Sequence, residues 1–194
     1  MTAAVPAYPF GVDVEPPAQQ NRLTILFRLL LAIPHAIVVG ILAIVAQLLA
    51  IIAWFVIVIT GRLPGGIASF LVNFLHWNVR LQGYTLLLAG RYPPFTLGPA
   101  TDYPVRFWGE AKLDGRSRLT VFFRLIMVIP HAIVLYILQI VANLLVFIGW
   151  FVALFIGRLP TFIHDFLAGY LRWSTRATAY VNLLTDDYPP FSLS

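Results

Sequence analysis

Arginine and histidine recur inside otherwise apolar stretches of this chain, and that recurrence is its first hint of chemistry. Arg28 and Arg124 each sit among leucine, isoleucine and phenylalanine, and His35 and His131 each follow a proline further along the same run. An arginine in hydrocarbon costs from about 3 to more than 10 kcal/mol, so it must reach the surface or find a partner. Three readings compete. The guanidinium snorkels to the phosphate layer; or Arg28, His35, Arg124 and His131 form lipid-headgroup sites; or the arginines line an ion path, although no carboxylate recurs beside them. Imidazole at a helix start can hold backbone groups, and two facing histidines could ligate haem, but nothing else in the sequence points to haem. Arg80 and Arg176 stand three residues after Trp77 and Trp173, close enough on a helix for cation–π contact. With His76 and Arg172 they make a second candidate group on polar helix faces. The chain has no cysteine, which excludes disulfides, thiolate catalysis and cysteine-held metals. There is no glycine-rich phosphate loop, HExxH or serine elbow, and Glu15, Glu110, Asp114, Asp165, Asp186 and Asp187 are too scattered to propose a carboxylate pair. His164-Asp165 occurs in one place only and reads as a helix-end pair facing water. No catalytic residue, metal or cofactor is expected.

These pairs exist because the chain is duplicated. Residues Arg22–Leu97 align with Arg118–Leu193 without a gap, and about 41 of 76 positions are identical, the mark of an internal repeat. RLTxxFRL opens each copy (Arg22–Leu29, Arg118–Leu125). IPHAIV follows (Ile33–Val38, Ile129–Val134), then WFV (Trp54–Val56, Trp150–Val152), GRLP (Gly61–Pro64, Gly157–Pro160) and YPPF (Tyr92–Phe95, Tyr188–Phe191). Tyr8-Pro9 and Tyr103-Pro104 lead in to the two copies. The natural division is an N-terminal segment 1–21, a first repeat 22–97, a linker 98–117 and a second repeat 118–194. Asn73, His76, Asn78 and Gln82 become Gly169, Arg172, Ser174 and Thr178, so a centre built on those positions would belong to one half only.

The elements that must carry these residues are written in the hydropathy. Of 194 residues, 60% are hydrophobic and 11% charged, with a mean hydropathy of +0.85, where soluble domains carry roughly 25% charged residues. Ala36–Thr60 holds no charge, and neither does Ala132–Ile156; each exceeds the about 20 apolar residues that span a bilayer core. A signal peptide is a poor explanation, since the N-terminus lacks a basic region and the apolar run recurs mid-chain. Pro34 predicts an elbow between a short surface helix (22–33) and a spanning helix. Gly61 predicts the cap, and Pro64 the start of a third helix over 65–89, amphipathic, which either crosses again or lies in the interface. The same holds for 161–184. Val12 and Val14, with Val105, Phe107 and Trp108, suggest two short extended segments that could pair.

Orientation arithmetic favours the second crossing. Two near-identical copies with one arginine pattern are expected to lie parallel, which needs an even number of crossings each. The termini and linker would then share the cytoplasmic side with most of the arginines, and the loops at Arg62 and Arg158 would lie opposite. The fold class is therefore an all-α integral membrane protein: a tandem-duplicated helical unit with about four transmembrane helices plus short interfacial helices. In this motif order both copies resemble the bacterial membrane family catalogued as domain of unknown function 4389. The resemblance implies a helical membrane architecture and a bacterial source; it brings no catalytic residue and no substrate. The expected localisation is the bacterial cytoplasmic (inner) membrane, multi-pass. The expected role is a non-catalytic accessory or scaffold subunit that packs against other membrane proteins and lipids, since Gly40, Ala43, Ala46, Ala50, Ala53 and Trp54 suit close helix contact. A small transporter or channel using the polar faces, or a lipid- or cofactor-binding protein, are the alternatives. With one lysine against twelve arginines and a net charge of +5, anionic lipid is the natural polar partner and nucleic acid is not.

Overall fold

The computed structural model describes residues 8–194; the first seven residues of the N-terminal segment lie outside the described residues. The order is β1 (Phe10–Val14), α1 (Arg22–Leu26), α2 (Arg28–Thr60), α3 (Gly65–Thr85), β2 (Val105–Gly109), α4 (Arg118–Met127), α5 (Ile129–Ile156) and α6 (Thr161–Val181). The fold is mostly helical and built from two tandem units, but it is not all-α: β1 and β2 pair antiparallel, with Val12 opposite Phe107 at the centre. Their inward side chains Phe10, Val12, Val105 and Phe107 are buried. Outward, the Trp108 indole donates to Asp13 at 3.1 Å.

Local chemistry sets the helix ends. Asn21 caps α1 by accepting from the Leu23 amide, and Ser117 caps α4 by accepting from the Thr120 amide, which satisfies donors that a helix start leaves free. Gly61 and Gly157 end α2 and α5 in the left-handed region, at φ 74° and 78°, as their sequence positions predict. The elbow differs from expectation in copy one. The helix breaks at Phe27, and Pro34 is carried inside α2. In copy two the break is at Val128 and Pro130 occupies the first turn of α5, where its missing N–H has no partner to lose. The helices read to 89 and 184 stop at Thr85 and Val181. Leu87 and Leu183 then turn left-handed (φ 65° and 64°), with Leu88 N–H donating to Gly83 O at 2.9 Å. Leucine holds this glycine-like position because its side chain is buried in the core, which offsets a strain of roughly 1–2 kcal/mol.

Each long helix folds into a hairpin with the helix that follows it. One stripe of α2 is buried, at Arg28, Ala32, His35, Val39, Ala46, Ala50, Ala53 and Ile57, a helical spacing; apart from Gln47 and the terminal Thr60, the rest of its circumference is apolar and exposed or half-buried. In α2, and in the run Arg118–Ile156, only 22% and 11% of the most apolar window is buried. A core helix of a soluble protein would be mostly covered. Both helices are long and apolar enough to cross a membrane.

The two copies run in opposite senses. Gln20 N–H donates to Gly157 O, and at the other end Arg116 N–H donates to Gly61 O. Between them the Trp150 indole donates to Ile25 O at 2.8 Å and the Trp54 indole to Val121 O at 3.0 Å. The chain from Gln20 to Gly61 thus lies antiparallel to the chain from Arg116 to Gly157, each copy's lead-in helix packed on the other copy's long helix. The centre of the ribbon and the α3–α6 contact lie on the same approximate twofold. Three layers result: ribbon and tails, then α3 with α6, then α2 with α5 and the lead-in helices.

This arrangement corrects the expected parallel copies. The GRLP loops do not lie across the molecule from the linker; they touch it. Leu63 N–H donates to Leu113 O at 2.8 Å, and Arg62 pairs with Asp114 at 3.1 Å. Near-identity of the copies fixed their internal shape but not their mutual orientation, and a twofold across the long helices serves identical arginine patterns as well as a parallel stack does.

Candidate functional site

Arg28 and Arg124 are interior residues, each 1% exposed, and neither snorkels. Arg28 Nη1 donates to Tyr84 O at 2.8 Å and Ala89 O at 3.0 Å, and Nη2 to Gln20 Oε1 at 2.5 Å. Arg124 Nη1 donates to Tyr180 O at 2.6 Å and Nη2 to Asp186 Oδ1 at 2.9 Å. Both guanidinium groups lie over a tyrosine ring, Tyr84 at 4.5 Å and Tyr180 at 4.3 Å. Tyr84 O and Tyr180 O belong to the C-terminal ends of α3 and α6, where helix carbonyls lack intrahelical partners and the dipole is negative, and Ala89 O to the turn that follows α3. Each arginine is therefore a cationic cap that closes one hairpin.

The counter-charge differs between the copies. In copy two Asp186 accepts from Arg116 Nε at 3.0 Å, Arg116 Nη2 at 2.8 Å and the Ser117 amide at 3.0 Å, besides Arg124. Burial acts to raise the Asp186 pKa, but hydrogen bonds from Arg116 and Ser117, with the charges of Arg116 and Arg124, outweigh it and hold the carboxyl below its ordinary 3.8. Copy one has Gly90 where Asp186 stands and Gln20 where Arg116 stands. A side chain added at Gly90 would meet Gln20 Cγ at 2.9 Å, so the glutamine fills the space the aspartate would need. Gln20 Nε2 donates to Leu87 O at 2.8 Å, and Arg116 Nη1 to the matching Leu183 O at 2.6 Å. Sequence reading missed this network because its members come from the linker, the lead-in and the segment after α6; the paired change at positions 20/116 and 90/186 was its one visible trace.

His35 and His131 are fully buried and present nothing to a headgroup. Each Nδ1 accepts from an indole, Trp77 and Trp173 respectively, both at 3.0 Å, so each neutral ring carries its proton on Nε2. His35 stacks on Phe95 at 3.8 Å and His131 on Phe191 at 3.9 Å, with Tyr92 and Tyr188 alongside. The proline–histidine and YPPF motifs thus meet in one aromatic box per copy. Trp77 and Trp173 serve these boxes rather than Arg80 and Arg176. Those arginines bind the tail backbone: Arg80 donates to Gly98 O at 2.5 Å and to Thr96 O, Arg176 to Ser194 O at 2.6 Å and to Ser192 O. Among the polar-face candidates, His76 packs edge-on to Phe107 at 5.1 Å and Arg172 Nε donates to Val12 O at 3.2 Å. His76, Arg80, Arg172 and Arg176 thus face the ribbon and tails, whereas Asn78, Ser174 and Thr178 turn the other way, toward α2 and α5. His164 is buried, not solvent-facing, with Nδ1 3.3 Å from exposed Asp165.

The family model for a domain of unknown function, DUF4389, matches residues 22–96 and again 118–192. The chain belongs to the DUF4389 family. No curated protein and no solved structure matches it. In these two DUF4389 copies the motif residues close each hairpin from inside, and cavities open between them. A slot of about 260 Å³ lies beside Trp54, Gln47 and Arg124, and its twofold mate of about 330 Å³ beside Trp150, Asn143 and Arg28. A wider groove of about 600 Å³ separates α2 from α5, walled by Ala43, Leu135 and Tyr136 and floored by Asn78, Ser174 and Thr178. Among the described residues no cluster of three histidine or carboxylate groups could hold a metal ion.

Proposed function

We propose that this DUF4389 protein is a non-catalytic accessory subunit of the bacterial cytoplasmic membrane, holding lipid and other membrane proteins through its outer helix layer. The observation that carries this reading is the division of labour in the side chains. Arg28, His35, Trp77 and Arg80, with their counterparts Arg124, His131, Trp173 and Arg176, are engaged inside the molecule, whereas α2 and α5 turn most of their apolar circumference outward. Large apolar side chains stand exposed along the whole length of both helices, and contiguous apolar patches beyond a few hundred Å² mark protein or membrane contacts. Exposed Ile, Leu and Phe suit lipid tails and neighbouring helices alike. Extraction of native membranes in mild detergent or polymer discs, followed by mass spectrometry, tests it. A reproducible set of co-purifying membrane proteins is the expected result; a particle containing only this chain would overturn the accessory role.

The paired slots favour a second reading, a lipid-binding protein. Each is apolar, each is bounded by a tryptophan from the opposite copy, and the two match residue for residue under the twofold. Native mass spectrometry of the disc-embedded protein would show one or two retained lipids; quantitative loss of lipid at the mildest activation would remove this reading.

A further inference from the structure

The outer surface of the molecule is divided along its approximate twofold. On one side are α2 and α5, without a charged residue between Arg28 and Thr60 or between Ile129 and Ile156, exposing Ile37, Ile44, Phe55 and their counterparts Ile133, Ile140 and Phe151. On the other is the ribbon, where Arg106 pairs with Glu15 at 2.8 Å, both partly in solvent, and Asp13 stands exposed. Exposed arginines rim the apolar side at both ends: Arg22 and Arg158 at one, Arg62 and Arg118 at the other.

The linker decides what this surface can sit in. It leaves the C-terminal end of α3 and returns along that helix to the GRLP loop, touching Arg80 through Thr96 and Gly98, Gly83 through Val105, His76 through Phe107 and Leu63 through Leu113. If α2 and α3 crossed the bilayer, this non-helical chain would cross beside them. Asp13, Glu15, Arg106 and Glu110 would then lie near mid-depth. Lipid-exposed irregular backbone does not occur in hydrocarbon, and each charge there costs about 3 kcal/mol or more. With the twofold upright, the same charges stand in water and the four rim arginines meet headgroups at one depth.

The geometry points to a monotopic protein: α2 and α5 lie side by side in the plane of a single leaflet, their buried stripes covered by α3 and α6 where an isolated interfacial helix would carry a polar face, with α3, α6 and the ribbon stacked above them on the cytoplasmic side. The partner of this surface is an anionic lipid leaflet. This rests on the membrane reading above and replaces the four-crossing topology with one that crosses nowhere.

The cysteine-free chain makes the test direct. Arg62→Cys, Arg158→Cys and Glu110→Cys each place one thiol at an exposed position; the first two mark opposite ends of the long-helix pair. A membrane-impermeant maleimide is applied to spheroplasts and to inverted membrane vesicles, with detergent-solubilised protein as the reference. All three sites are expected to react in inverted vesicles and none in spheroplasts. Arg62→Cys and Arg158→Cys on opposite sides of the membrane from each other would mean that the long helices cross it in their antiparallel arrangement, and both opposite to Glu110→Cys would mean four crossings by parallel copies. A site silent in both preparations yet reactive in detergent would lie in hydrocarbon. Any of these three results overturns the proposal. Sedimentation of the unmodified protein separates this from the membrane reading: recovery in the soluble fraction after cell breakage would defeat membrane seating itself.

Discussion

A buried guanidinium is useful to a fold only when its donors are met, and Asp186 is the residue on which the second copy's arginines converge. Its carboxylate is 10% exposed between side chains that are 0% and 1% exposed. Removing one member of such a group leaves the others charged and unpaired, which costs about 3–5 kcal/mol. Asp186→Ala should lower the thermal unfolding midpoint in detergent well beyond what an exposed-site control does. The pH dependence has a definite sign. Because the folded-state pKa lies below 3.8, the stabilisation is fully present above 3.8 and is lost as pH falls through the lower folded value. Asp186→Asn should flatten that acid limb, read by unfolding midpoints between pH 6 and about 3. The first copy supplies a cross-check. Gln20→Arg with Gly90→Asp should recreate the second copy's network, each single change being worse than additivity with the pair predicts, with a coupling of about 1–3 kcal/mol. Additive effects in that double-mutant cycle would mean the two copies solve the problem independently. At this scale the sequence was half legible. The duplication singles out Arg28, Arg124, His35 and His131, but hydropathy does not say where their partners are, so it leaves snorkelling, a headgroup site and an ion path open where the structure has burial against backbone carbonyls.

Element boundaries were the more readable level, because they rest on local chemistry. Gly61 and Gly157 were recognisable as caps from their place after an apolar run and before a proline, and both adopt positive φ. Gly61→Ala should cost roughly 1–2 kcal/mol from the left-handed backbone alone, measured as a lowered unfolding midpoint. An unchanged midpoint would show the cap to be free to rearrange. What local chemistry could not reveal was the end of α3 and α6. Leu87 and Leu183 hold a conformation that favours glycine, and only burial by residues distant in sequence makes leucine the better choice there. The elbow prolines teach the same point from the other side. Pro34 and Pro130 sit in one motif, yet one lies within a helix and the other opens one, since tertiary packing decides whether the break comes before or after the lead-in turn.

For the whole molecule, the duplicated sequence established two like units and two long apolar helices, and was silent on how the units face each other. That choice depends on contacts between Gln20 and Gly157 or Trp54 and Val121, pairs of partners from different copies that no periodicity records. The antiparallel arrangement gathers the apolar faces into one layer and the charged linker into another, and the proposed lipid seating rests on that separation. Its most direct test is the depth profile of α2. Nitroxide labels at Ile37→Cys, Ile44→Cys, Ile51→Cys and Ile59→Cys, all exposed apolar positions, would be compared in anionic bilayers by their relative accessibility to oxygen and to a polar nickel reagent. The account predicts one shallow depth for all four. A profile that deepens to the bilayer centre and emerges at the far surface along α2 would contradict it.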